Sequence, residues 1–106
     1  MESNYHITVE QAESAIPLEH DHRYATLMEH GSMRVLIYAP IGIDTQEPHK
    51  QDEVYVIHSG TGEFFDGYTI RPFIPGDAIF VPAGRAHRFE KFSEDFRALV
   101  VFYGPV

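Results

Sequence analysis

From Tyr24 onward the chain is interrupted every few residues by glycine, proline, aspartate or serine. That punctuation limits what it can fold into, because no segment is long enough for a sizeable helix. The runs YATLME, MRVLIYA, EVYVIHS, GEFF, YTIRPF, DAIFVPA, AHRFEKF and FRALVVFYG are short and rich in β-branched and aromatic residues. Between them stand HGS, PIGID, SGTG, DG, PGD, AG and SED, which carry turn chemistry. Asp66-Gly67 between two such runs is a hairpin signal. Short strands with closely spaced turns predict an all-β sandwich or barrel.

One helix is expected ahead of the strands, over Thr8 to Pro17. Thr8 with Gln11 three residues later makes a capping box, and Pro17 stops the segment. Val9, Ala12 and Ile16 share one face of it. A length of 106 residues suits a single domain over 1–106, long enough to bury a core without staples. Cysteine is absent, which removes disulfides, thiolate nucleophiles and cysteine-based zinc sites. The opening MESNYHITVEQAESAIP has no basic region followed by an apolar one, so no signal peptide is expected. No apolar run approaches the ~20 residues of a membrane span. A cytoplasmic protein is the expectation. Sixteen acids against eight bases give a formal charge of −8. That field repels phosphate backbones and anionic headgroups, which argues against nucleic acid and membrane partners.

The chemistry concentrates in two stretches. In EPHKQDEVYVIHSG, residues 47–60, an extended chain would turn Glu47, His49, Gln51 and Glu53 to one side, with Tyr55 and Ile57 continuing it. A carboxylate entering an apolar strand face needs a cation or a donor to meet it. In PGDAIFVPAGRAHRF, residues 75–89, Pro82 and Gly84 force a turn, and His87 and Phe89 then share a face. Two histidines and one carboxylate with open positions form the facial set of many non-haem iron sites, and imidazole with carboxylate also suits zinc, manganese or nickel. His49, Glu53 and His87 supply that set.

These residues resemble the cupin family. His49, three residues, Glu53, six residues and Gly60 match the second half of its first motif, with Gly42 one residue out of register near the start. Gly76, Pro82, Gly84 and His87 match its second motif, across a gap, residues 61–75, typical of small bacterial cupins. The resemblance implies a double-stranded β-helix, or jelly roll, with a barrel core over about 33–103. It also implies a divalent metal inside (Fe, Mn, Zn or Ni) and a homodimer. Glu47 stands where the family has its first histidine, and Lys91 where the second motif ends in asparagine. The fourth ligand is therefore open among Glu47, Gln51 and water.

Other candidates read as structural. His20-x-His22 is a solvated connection without a third ligand, His30 lies in a turn, and His58 is on the strand face opposite Glu53. Tyr55, Phe64, Phe80, Phe89, Leu99, Val101 and Tyr103 read as barrel core. Arg85 and Arg88 read as surface charges flanking His87. No serine sits in a nucleophile elbow, and no glycine-rich loop precedes a helix. The expected function is a metal-dependent dioxygenase, isomerase or decarboxylase acting on a small polar molecule. The rival is a non-catalytic module that binds a small ligand.

Overall fold

The structure, a computed structural model, describes residues 6–17, 23–44 and 46–105. His20 and His22 lie outside the described residues. Among the described residues one short helix, α1 (Val9–Ser14), precedes eight strands: β1 (Tyr24–His30), β2 (Met33–Tyr38), β3 (Asp52–Ser59), β4 (Gly62–Phe65), β5 (Ile70–Phe73), β6 (Ala78–Val81), β7 (Arg88–Glu90) and β8 (Arg97–Tyr103). They form two antiparallel sheets, one ordered β1-β2-β8-β3-β6 and the other β5-β4-β7.

The sheets face each other across one apolar cluster. The large sheet contributes Leu36, Tyr38, Tyr55, Ile57, Ala98 and Val100, and the small one Phe64, Phe73 and Phe89. Phe96, fully buried on the approach to β8, packs its ring 4.6 Å from Phe89 and 5.2 Å from Phe73. Such tilted aromatic pairs add about 0.5–1.5 kcal/mol each beyond burial.

The helix starts as its sequence dictates. The Thr8 side chain accepts from Gln11 N and the Gln11 side chain accepts from Thr8 N, closing the capping box. Ala12 and Ile16 pack on Ile37 and Ala39, the outward residues of β2 and the segment after it. The run LIYA is therefore buried on both sides, inward through Leu36 and Tyr38 and outward beneath the helix. Val9, at the first position of α1, lies beside Ala12 on the side toward Ile37 and Leu99 but is 57% exposed.

Four expected core residues face away from the barrel interior: Phe80, Tyr103 and, on the same face of β8 as Tyr103, Leu99 and Val101. Phe80 is 55% and Tyr103 38% exposed. On β8 the inward positions are Ala98 and Val100, while Leu99 faces the helix cluster. Alternation fixes which residues share a face but not which face is inside, and β8 is apolar on both. The Asp66-Gly67 turn spans four residues rather than two. The Asp66 carboxylate accepts from Tyr68 N and Thr69 N, both at 2.9 Å. Those bonds hold its carboxyl below the ordinary aspartate pKa.

No helix among the described residues is long and apolar enough to cross a membrane.

Candidate metal centre

Two local structures bring the chemistry together. β3 carries Glu53 inward, opposite Val81 on β6 and Phe102 on β8. The chain leaving β6 turns at Pro82 and Gly84, with Arg85 N donating to Pro82 O at 3.2 Å, and then delivers His87 just before β7. Ala83 N donates to the Asp52 carboxylate at 2.9 Å, which fastens this turn to the start of β3.

The result is a tight group. Ligand-capable atoms of His49, Glu53 and His87 all lie within 4.8 Å of one another. His49 Nε2 is 2.6 Å and His87 Nε2 3.3 Å from Glu53 Oε1. Glu53 is fully buried, His87 is buried and His49 half-buried. Glu53 Oε2 has no hydrogen-bond partner.

Proton positions follow from the neighbours. His49 Nδ1 lies 3.0 Å from Gln51 O, and His87 Nδ1 lies 2.9 Å from Arg85 O. A carbonyl only accepts, so each Nδ1 carries hydrogen, and each ring in its neutral form would present an Nε2 lone pair inward. Tyr55 adds another. Its hydroxyl donates to Gln46 Oε1 at 2.8 Å, while its oxygen is 3.1 Å from His87 Nε2. The Gln46 amide is oriented by Asp44, whose Oδ2 accepts from Gln46 Nε2 at 2.9 Å. Lone pairs from two imidazoles, a carboxylate and a phenol thus converge, an arrangement that requires a proton or a cation between them.

The titration of these groups follows their surroundings. Burial opposes charge on the His87 ring, but the hydrogen bonds it can donate to the Glu53 carboxylate and the Arg85 carbonyl, with the charges of Glu53 and Asp44, outweigh it and raise its pKa above the ordinary histidine value. Burial first, then the charge of Glu53, holds the Tyr55 hydroxyl protonated well above the ordinary tyrosine range. Burial and the Asp44 carboxylate do the same at Tyr38.

Residues 34–102 match the cupin domain family model, Cupin_2. The chain belongs to the cupin domain family. An uncharacterised protein of Streptomyces coelicolor is 40% identical over 87 residues, covering 80% of this cupin and 83% of the relative. Dimethylsulfoniopropionate lyase DddQ of Ruegeria pomeroyi is 34% identical over 73 residues, covering 67% of this cupin and 36% of the lyase, so this cupin spans about a third of that protein's length. Among solved structures, a cupin 2 conserved barrel domain protein from Salinispora arenicola superposes with a TM-score of 0.69 at 22% identity, over 87% of this cupin and 83% of that chain. That likeness is one of fold.

Glu47 stands apart from the group. It is exposed, ahead of Pro48, and the alternation expected over residues 47–53 fails there because β3 begins only at Asp52. Gln51 is buried, and its amide nitrogen donates at 3.0 Å to both Ser32 O and Gly104 O, tying down the β1–β2 turn and the C-terminal segment. Arg85 and Arg88 lie over the rings of Tyr68 and Phe65 on the outside. His58 is exposed, and so is His30 at the end of β1.

Three contributors escape a sequence reading. Asp44 is buried and accepts from Tyr38 OH at 2.6 Å, Gln46 N at 3.1 Å and Phe89 N at 2.8 Å, besides Gln46 Nε2. Gln46 follows from it. Arg34, with Leu36, Tyr38, Gln46, Glu53 and Phe102, lines a cavity of about 250 Å³, Glu53 being the member of the His–Glu group that it reaches. The only available signal was Asp44 itself, an acid within the apolar PIGID connection. A larger cavity of about 390 Å³, lined by Asp66, Arg71, Asp77 and Phe80, contains none of the group.

Proposed function

We propose that this cupin holds a divalent metal through His49, Glu53 and His87 and acts on a small polar molecule by proton transfer, as a lyase or isomerase. One observation carries the reading. The fully buried Glu53 carboxylate has an unpartnered oxygen and two histidine Nε2 atoms directed at it. Each ring's Nδ1 is engaged by a backbone carbonyl, the outer support that orients metal-binding histidines and fixes their tautomer. The donor set, two imidazoles and a carboxylate, suits iron, manganese, zinc or nickel.

When bound, such an ion would polarise a substrate carbonyl or carboxylate and stabilise charge developing beside it. Proton movement then falls to Tyr55. Its hydroxyl is 3.1 Å from His87 Nε2 and is oriented by the hydrogen bond it donates to Gln46 Oε1, which Asp44 holds in place. A molecule occupying the 250 Å³ cavity would lie against Gln46, the acceptor of the Tyr55 hydroxyl, and against Glu53. The volume is below the ~300–1,000 Å³ of drug-sized sites, which suits a compact substrate. The lyase name of the Ruegeria relative supports this chemical class without naming the substrate here.

The test has two arms. Metal content of the purified protein, read by mass spectrometry, should reach one ion per chain and vanish in His87→Ala. Solvent deuterium should enter small hydroxy acids, keto acids or sugars in the presence of the metal-loaded protein, and Tyr55→Phe should stop the exchange while keeping the metal. Metal in the wild type with no exchange on any compound would leave a binding module instead of an enzyme.

A further inference from the structure

Strand register aligns three residues from three strands. On β2, Arg34 faces Phe102 of β8, and Phe102 in turn faces Glu53 of β3. Directly paired residues share a face of the sheet, so guanidinium, ring and carboxylate lie in one row along the cavity. Arg34 Cζ sits 4.9 Å over the Phe102 ring, and that ring meets the His49 ring edge-on at 4.8 Å. Neighbouring strands are ~4.8 Å apart, so the Arg34 and Glu53 backbones are separated by about 10 Å of sheet.

Arg34 differs from the ion-paired cations of the chain, and from Lys50, Arg71, Arg23 and Arg85, which are also outside the ion pairs among the described residues, it differs in lining the cavity that reaches Glu53. Arg88 pairs with Glu90, Lys91 with Glu63 and Arg97 with Glu13. Arg23 donates to Ala39 O, and Arg85 lies over Tyr68. Among the described residues no carboxylate lies within ion-pair distance of Arg34, although Glu29 is its partner on β1. Among the described residues it is also the one arginine or lysine lining the cavity that reaches Glu53. Arginine's planar fork matches a carboxylate with two parallel N–H···O bonds, and stacking on an aromatic ring preorganises it. In a chain of net charge −8, an unpaired guanidinium turned into a cavity attracts an anion where the overall field repels one.

We propose that Arg34 is the substrate-selecting residue of this cavity and binds the carboxylate of a small acid, whose other polar end then meets His49, Glu53 and His87. The proposal rests on the metal-centre reading for the second contact only. The carboxylate contact at Arg34 stands without it. Phe102, between the two polar ends, gives the apolar middle of such a molecule a surface to lie on.

Succinate, acetate, neutral succinamide and inorganic phosphate are the probes. Binding is followed at the Arg34 Nε–H resonance in chelator-treated protein, and independently by the visible spectrum of cobalt-loaded protein. Succinate should shift the Arg34 resonance. Its affinity should fall about tenfold or more in Arg34→Met, about 1.4 kcal/mol, and less in Arg34→Lys. Succinamide should bind at least about tenfold more weakly than succinate. The cobalt spectrum before probe addition should be the same in wild type and both variants. Succinate affinity within about twofold of wild type in Arg34→Met overturns the proposal. So does equal binding of succinamide, or absence of succinate binding to the wild type. Phosphate binding in place of succinate, with the same Arg34 dependence, overturns the carboxylate assignment. Failure of wild-type protein to take up cobalt counts against the metal centre alone, since the resonance in metal-free protein still decides on Arg34.

Discussion

The backbone N–H of Gly84 donates to the carbonyl of His49 at 2.8 Å. This bond couples the turn that launches His87 to the segment that presents His49, so the two imidazoles are positioned by one local structure. Gly84 has φ +82° and Gly60 φ +85°, both in the left-handed region that favours glycine.

Substitution at these two glycines should separate strain from collision. A methyl at Gly84 meets open space, so Gly84→Ala should cost only the backbone term, about 1 kcal/mol. A methyl at Gly60 would lie 2.5 Å from the Phe96 Cα, and backbone cannot rotate away as a side chain can. Gly60→Ala should cost about 3 kcal/mol or more, a fall in Tm of roughly 10 °C or more. Thermal unfolding followed by circular dichroism ranks the two, and equal losses would contradict the close approach at Phe96.

Asp44 should behave as a structural acid. Asp44→Ala strands the Tyr38 hydroxyl and the Phe89 N–H, and it frees the Gln46 amide. The expected loss is about 2–4 kcal/mol by urea denaturation, against about 1 kcal/mol for Tyr38→Phe, which removes a donor and leaves Asp44 its other partners. A loss below about 0.5 kcal/mol in Asp44→Ala would mean that water replaces the carboxylate at little cost.

These residues also mark how far the sequence was legible. The strands could be read because alternation and turn chemistry are local signals, and each expected run holds a strand. His49, Glu53 and His87 could be nominated because glycine and proline fix their register. Asp44 could not, since its partner Phe89 is 45 residues away and the pairing exists only once the sheets close. Arg34 was hidden for the same reason, because its row with Phe102 and Glu53 is made by strands distant along the chain. Phe80, Leu99, Val101 and Tyr103 were misplaced because their strands carry apolar residues on both faces, and only the covering elements decide which face is buried.

The β4–β5 turn gives an acid-side prediction. Two backbone N–H donors favour the ionised form of Asp66, so its folded pKa is depressed below 3.8. A depressed acid contributes stability that is fully present above the unfolded value and disappears as pH falls through the folded one. Asp66→Asn keeps an acceptor for the turn and cannot titrate. Its stability should therefore decline less steeply than wild type below about pH 4 and run parallel above it. Chemical denaturation at a series of pH values reads this directly, and superimposable acid limbs would remove Asp66 from the linkage.

Metal-dependent stabilisation should discriminate between the two glutamates of the first stretch. Glu53 is fully buried among the imidazoles, whereas Glu47 is exposed and outside the group. An ion that binds only the folded chain raises stability by about 2.7 kcal/mol when present at ~100 times its Kd. Wild-type protein titrated with zinc should show that rise in Tm. Glu53→Gln should lose it, because a neutral amide neither offsets the ion's charge nor leaves two equivalent oxygens for it. Glu47→Gln should retain it in full. Equal loss in both variants would return Glu47 to the ligand set, and an undiminished rise in Glu53→Gln would show that zinc stabilises the protein from somewhere else.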